Sequence, residues 1–225
     1  MKAGSVSLLA GAAVGALLAL SAASPATAGV SLVTVNFFGS DNILWSQLGS
    51  DQTVLGSPDS VTATGGQTAS VSSAGGNFEI LTEGSSWVGN FLPGTSVLWN
   101  NSGGDITIAF GAPVREAGAN IEPDFYGSFT AQITVYDGLT VLGTFTEDSE
   151  STPLNDGSAM FLGVESTTND ITKISYQILG FTNFAIGPVS LSAAVPEPTT
   201  WALMLVGFGG LGAALRTRRG SFAAT

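Results

Sequence analysis

The 225-residue sequence contains no cysteine and no histidine. Without cysteine there is no disulfide, no thiolate nucleophile and no cysteine-ligated metal. That absence does not mark a cytosolic compartment, since exported proteins also do without cysteine. Without histidine there is no Ser-His-Asp or Cys-His catalysis, no histidine-bound zinc, and no side chain that titrates near neutrality unperturbed. Positive charge is scarce and sits at the ends. Lys2 lies in the leader, Arg216, Arg218 and Arg219 close the chain, and only Arg115 and Lys173 lie between. Residues 29–195 carry sixteen acids against those two bases, a formal charge of −14. A domain so acidic repels nucleic acid and anionic lipid heads, so no nucleic-acid partner is expected. Cations, neutral glycans and basic surfaces remain as partners, and so does the plain reading that the charge maintains solubility. Helix-forming Lys, Glu and Arg are few, while Gly reaches 30 and Ser, Thr, Val and Ile dominate the middle. This composition predicts short strands joined by turns. With 44% hydrophobic and 10% charged residues the chain lies outside the disordered regime.

Residues 1–28 have the pattern of a signal peptide. Met1 and Lys2 give a small basic start, and residues 6–20 form an apolar run. Ala26-Thr27-Ala28 then supplies the small-x-small pattern that a signal peptidase cuts before Gly29. The competing reading is a permanent transmembrane helix, but the run is short and ends at Ser24-Pro25. Residues 29–194 form one domain of about 165 residues, enough for a real core.

Within it, the run from Leu32 to Phe38 predicts a first strand, and residues 49–76 read as long Gly- and Ser-rich loops with short edge strands. Phe78-Glu79-Ile80-Leu81 and Val97-Leu98-Trp99 predict further strands. Residues 105–110 alternate, and residues 114–121 follow Pro113. Residues 129–136 alternate up to Asp137-Gly138, a hairpin signal, with residues 141–145 as the partner strand. Residues 159–164, 171–179 and 184–191 complete the series. Spacings of about 8–12 residues between turn signals predict an all-β sandwich.

The end of the chain is organised differently. Val195-Pro196-Glu197-Pro198-Thr199-Thr200 is a stiff extended linker, because two prolines block helix and sheet. Residues 201–215 are an uncharged apolar run opened by Trp201 and closed by Arg216, Arg218 and Arg219. This reads as a stop-transfer transmembrane helix with its basic end cytoplasmic, short enough to be a weak or temporary anchor. A plain C-terminal anchor has no need of Pro-Glu-Pro. These ordered elements in residues 195–219 resemble the PEP-CTERM sorting signal of Gram-negative bacteria, and residues 220–225 are a short extension. The resemblance implies a membrane protease, exosortase, that recognises the tail and removes it. The precursor would then be anchored transiently in the inner membrane and passed on to the cell surface or extracellular matrix. It also implies association with exopolysaccharide and biofilm matrices. The name "ice-binding protein C-terminal domain" attached to such tails says nothing about ice binding here.

The middle resembles, through residues 129–138, 159–164, 171–176 and Phe184-Ala185-Ile186, the jelly-roll domains that precede such tails. The expected fold is therefore a jelly-roll-like β-sandwich, flanked by a signal-peptide helix and a C-terminal hydrophobic helix. Family members often place Asp after Phe-Ala-Ile, where this chain has Gly187. The role of that Asp, a turn cap or a cation ligand, is lost here or supplied differently.

Three constellations carry chemistry. Carboxylate pairs are the one catalytic option left, with Glu122 and Asp124 flanking Pro123 and with Asp105 and Glu116 near in sequence. A glycosidase needs two carboxylates held across a cleft. Asp148, Asp156, Glu165 and Asp170 fall in predicted turns, where calcium finds hard oxygen ligands, although no calcium-loop spacing is present and ordinary turn chemistry accounts for them as well. Trp45, Trp87 and Trp99 offer flat faces for sugar stacking or fill the core beneath loops. The leading expectation is a non-enzymatic surface or matrix protein able to bind glycan. The alternative is a secreted carbohydrate-active enzyme using paired carboxylates.

Overall fold

A computed structural model describes residues 29–37, 39–193 and 204–208. The leader, the Pro-Glu-Pro segment, Trp201 and the arginine cluster lie outside the described residues. Thirteen strands follow in chain order: β1 Val30–Val33, β2 Asp41–Ile43, β3 Thr53–Gly56, β4 Asp59–Thr62, β5 Thr68–Ser73, β6 Asn77–Thr82, β7 Ser96–Trp99, β8 Ile106–Pro123, β9 Gly127–Asp137, β10 Thr140–Ser151, β11 Met160–Ser166, β12 Ile171–Ile178 and β13 Phe184–Ala193. Between β2 and β3 lies a single 3-10 turn, Trp45–Gln47. Residues 204–208 are helical and exposed. Among the described residues no helix is long and apolar enough to cross a membrane.

All strand pairings are antiparallel, and β8 joins two layers. Its first part, Ile106 to Phe110, pairs with β12 on one side and β5 on the other. This layer runs β10-β9-β12-β8-β5-β4. Its later part, from Val114 to Pro123, pairs with β11 and β13, and this layer continues to β1 on one flank and to β7, β6 and β3 on the other. The crossing lies at the exposed Gly111-Ala112-Pro113. Pro113 has no N–H for the ladder, and a Cβ on Gly111 would run into Thr68 Oγ1. Two strands expected on either side of Pro113 are thus one bent 18-residue strand.

The alternation of β9 is the clearest cause of the core. Phe129, Ala131, Ile133 and Val135 are buried, while the residues between them face outward. They meet Ile43, Trp45, Phe78, Ile80, Leu98, Ile121 and Ile186 of the other layer in one cluster. After β9, Gly138 takes φ +56°, the sign a type II′ hairpin demands at its first turn residue. The expectations failed in two places. Half of the stretch 49–76 is strand: β3 and β4 are the short edge strands expected there, but β5 lies inside the layer, between β4 and β8. The run expected to be one strand from Leu32 to Phe38 is broken, with β1 ending at Val33 and β2 starting at Asp41.

The registers give the domain two unlike ends. Val30 pairs with Ser166, and Ala193 and Ile171 both pair with Val114. Gly29 and Ala193, the two limits of the domain, therefore leave from the same end. The turns 124–126, 152–159 and 179–183 gather at the other.

Candidate functional site

The segment 83–95 between β6 and β7 folds over the outer face of the second layer. There the residues that alternate with the core point outward. Leu81, Val97 and Ala185 from the strands meet Trp87, Phe91 and Ala159, with Trp99 packed beside them, in a small second core. Two buried carboxylates tie the segment down from beneath. Glu83 accepts the Gly89 N–H at 2.9 Å. Glu122 accepts the next N–H, from Asn90, at 3.0 and 2.9 Å on its two oxygens, together with the Ser151 hydroxyl and the Trp87 indole N–H at 3.4 Å. A Cβ on Gly89 would run into the Glu122 carboxylate. Glu83 Oε2 is buried without a partner. Burial pushes both glutamates above the ordinary carboxylate range, and the charge of Glu122 pushes Glu83 further. The Asn90 amide extends the network, donating to Thr152 Oγ1 at 2.7 Å, Ser158 Oγ at 3.0 Å and Asp156 Oδ1 at 3.1 Å.

Across the same outer face, Phe37 stands edge-on to Phe161 with ring centroids 5.6 Å apart. Between that segment and segment 83–95 lies a cleft of about 280 Å³. Its floor is Asn120 of β8 and Gly187, Pro188 and Ser190 of β13, and its walls include Phe91, Leu92 and Thr95 on one side and Asn36 and Asn42 on the other. Asn120 donates to the Ala159 carbonyl, and Asn42 Oδ1 accepts the Ser190 hydroxyl at 3.1 Å. Asn120 Oδ1 and Asn42 Nδ2 are left without a hydrogen-bond partner among the described residues. Among the described residues every polar group lining the cleft is an amide, a hydroxyl or backbone, and no ionisable side chain lines it. Gly187 contributes by its bareness, and its carbonyl accepts the Trp45 indole N–H at 2.7 Å from the core side.

The expected site residues are distributed otherwise than sequence suggested. Trp45 and Trp87 are buried and Trp99 is half-buried, so none presents a free face for a sugar; Trp99 Nε1 is buried without a partner. Glu122 lies inside the network under segment 83–95, whereas Asp124 is exposed beyond the end of β8, where partial desolvation raises its pKa. They do not share a cleft. The four acids weighed for calcium each have a partner of their own. Asp148 accepts the Thr130 hydroxyl at 2.6 Å, Asp170 the Thr168 hydroxyl at 2.6 Å, and Glu165 pairs with Arg115 at 2.9 Å. Asp156 accepts Ser158 and Asn90, and the Ser158 hydroxyl foremost holds its pKa down. Among the described residues no three such side chains converge to hold a metal ion. Glu83, Asn42, Asn90 and Asn120 carried no motif in the sequence, and only Asn120 stands between two apolar residues, Ala119 and Ile121.

The family model of the PEP-CTERM protein-sorting motif matches residues 194–219. The chain therefore carries that motif, which implies recognition by exosortase during export to the cell surface. No curated protein matches the chain. Among solved structures, CsCBM6-3 from Clostridium stercorarium in complex with cellobiose is similar at 14% identity and a TM-score of 0.32, over 65% of this chain and 99% of that one. At that score the likeness carries nothing about ligands.

Proposed function

We propose that this chain is a non-enzymatic component of the cell surface or extracellular matrix, processed by signal peptidase and exosortase, whose β-sandwich holds a neutral glycan such as exopolysaccharide in the cleft above Asn120. The observation that carries the reading is the cleft's lack of charge. In a domain with a formal charge of −14, this concavity has only amides, hydroxyls and apolar walls. Sugar hydroxyls both donate and accept, as do asparagine amides, and the exposed Leu92 and half-buried Pro188 suit the apolar face of a sugar ring. Among the described residues neither of the two carboxylates that glycoside hydrolysis requires lines the cleft. Glu122, the better candidate for that chemistry, is engaged in holding segment 83–95.

Calorimetric titration of the mature protein with neutral oligosaccharides tests this. One class should bind without being hydrolysed. Asn120→Ala should weaken it about tenfold, the equivalent of about 1.4 kcal/mol, through loss of polar contacts. Binding that is unaffected by Asn120→Ala and by Leu92→Asp, or release of shorter sugars, would sink the proposal.

A further inference from the structure

The end of the sandwich opposite Gly29 and Ala193 carries exposed aromatic rings that the cleft does not use. Phe125, in the turn after β8, and Phe181, in the turn after β12, stack with centroids 4.1 Å apart at 34°. Phe181 is 49% exposed and Tyr126 55%. Tyr126 is not a loose side chain, because its hydroxyl donates to the Val88 carbonyl at 2.9 Å. The turn bearing Phe181 is held as well: Leu179 N–H donates to the Thr130 carbonyl at 2.9 Å, and Gly180 takes φ +81°. Leaving these rings in water costs free energy, and ordered, exposed aromatics mark contact surfaces.

Hollows flank the ridge on both sides. One, of about 720 Å³, is lined by Phe181, Leu179, Ser128, Thr130, Asp148 and Glu150. The other, of about 240 Å³, is lined by Tyr126, Phe125, Trp87 and Asp124 among others. Among the described residues no basic side chain lines either. The two bases of the domain are engaged elsewhere, Arg115 with Glu165 and Lys173 over the Tyr136 ring at 4.0 Å. Asp124 and Glu150 have no ion pair or side-chain hydrogen bond among the described residues.

We infer that this ridge is a second binding surface, for a cationic glycan: a polymer of amino sugars with free ammonium groups. Charge complementarity selects the occupant. Asp124, Asp148 and Glu150 supply the negative charge that an ammonium needs, and the rings attract a cation over their faces. A basic peptide would satisfy the carboxylates equally. The exposed rings of Phe181 and Tyr126 favour a sugar, whose flat apolar face they can cover. The surface stands at the end of the sandwich away from Gly29 and Ala193.

Calorimetry on the mature protein distinguishes the possibilities, with hexaglucosamine at a mildly acidic pH as the probe and its fully N-acetylated form and a lysine hexamer as controls. Hexaglucosamine should bind, more weakly as salt rises, and the N-acetylated form should not bind the ridge. Phe181→Ala and the double change Asp148→Asn with Glu150→Gln should each weaken it about tenfold with unchanged Tm, since these side chains are exposed. If hexaglucosamine fails to bind, or the lysine hexamer binds as well and Phe181→Ala changes nothing, the inference is overturned in favour of no site or of simple polyelectrolyte attraction. Asn120→Ala separates the two sites: it should leave hexaglucosamine binding intact. If it weakens hexaglucosamine as much as neutral sugar, both ligands share the cleft, and the ridge inference fails while the cleft stands.

Discussion

The contact between Gly89 and Glu122 makes a quantitative prediction. Glu122→Ala would leave the Asn90 N–H, the Ser151 hydroxyl and the Trp87 indole N–H in buried space without their acceptor. Each buried donor left unsatisfied costs about 1–3 kcal/mol, so the three together cost about 3–9 kcal/mol. Burial already disfavours the ionised glutamate, so its removal also relieves a cost, and the lower part of that range is expected. For a domain this size about 3 kcal/mol corresponds to a fall in Tm of roughly 6–12 °C. Gly89→Ala acts from the other side. Its Cβ meets a carboxylate held by three groups, which cannot move aside, so overpacking of about 1–3 kcal/mol is expected. The two changes are coupled by one contact. In the Glu122→Ala background the collision is gone, and Gly89→Ala should cost almost nothing. Urea denaturation of the four proteins, followed by tryptophan fluorescence, measures that coupling. An equal cost of Gly89→Ala in both backgrounds would refute the reasoning, and a cost of Glu122→Ala below about 1 kcal/mol would show that the loop is held by something else.

The raised pKa values of Glu83 and Glu122 give a sign for pH dependence. The folded state takes up these protons more readily than the unfolded one, so their contribution is full below the ordinary glutamate value of 4.5 and is lost as pH rises through the higher folded values. Stability should decline over that window, and Glu83→Gln should flatten the decline in denaturation curves taken across it. Calcium should raise Tm no more than sodium chloride at equal ionic strength, because Asp148, Asp156, Glu165 and Asp170 are separately engaged; a larger rise would reveal a site. Mass spectrometry of exported protein should find Gly29 at the N-terminus. Replacing Pro196, Glu197 and Pro198 by alanine should leave uncut protein in the inner membrane, while neutral residues at Arg216, Arg218 and Arg219 should mis-sort the precursor. Blots of membrane, surface and medium fractions with and without exosortase would settle both, and a tail retained in both hosts refutes the sorting role.

The strands were legible where one face is buried and the other solvated. The run from Phe129 to Tyr136 alternates without interruption, and Asp137-Gly138 announces its turn. β5 was missed because its inward residues, Ala69 and Val71, are small and lie among hydroxyls, which gives little contrast between its faces. Pro113 looked like a strand boundary, but at an exposed corner it costs no ladder hydrogen bond. The cleft was not legible because it is assembled from β8, β13 and two segments that cover the outer face. Asn42 and Asn120 are neighbours of the same cleft only through the β13 registers, with Asn42 beside Ser190 and Asn120 beside the break between Ile186 and Val189. The tryptophans were ambiguous from sequence, since type and position in a loop-rich half cannot tell a ring that covers sugar from one that fills a core. The tail was the opposite case: its meaning lies in consecutive residues and needs no fold to be read.

The last strand also sets how the domain bears force. β13 runs the height of the sandwich, from Phe184 at the ridge end to Ala193 beside the tail, between β8 on one side and β7 and β2 on the other. When the chain is held beyond Ala193 and a polymer pulls at the far end, the load runs along this strand. Its hydrogen bonds are then strained together in shear, rather than opened one after another as in peeling from an edge. Resistance to forced unfolding is governed by the rate of crossing that barrier. An anchored molecule exposed to flow would thus transmit tension through a central strand paired along both sides, and its edge strands, β4 and β3, would stay outside the line of pull.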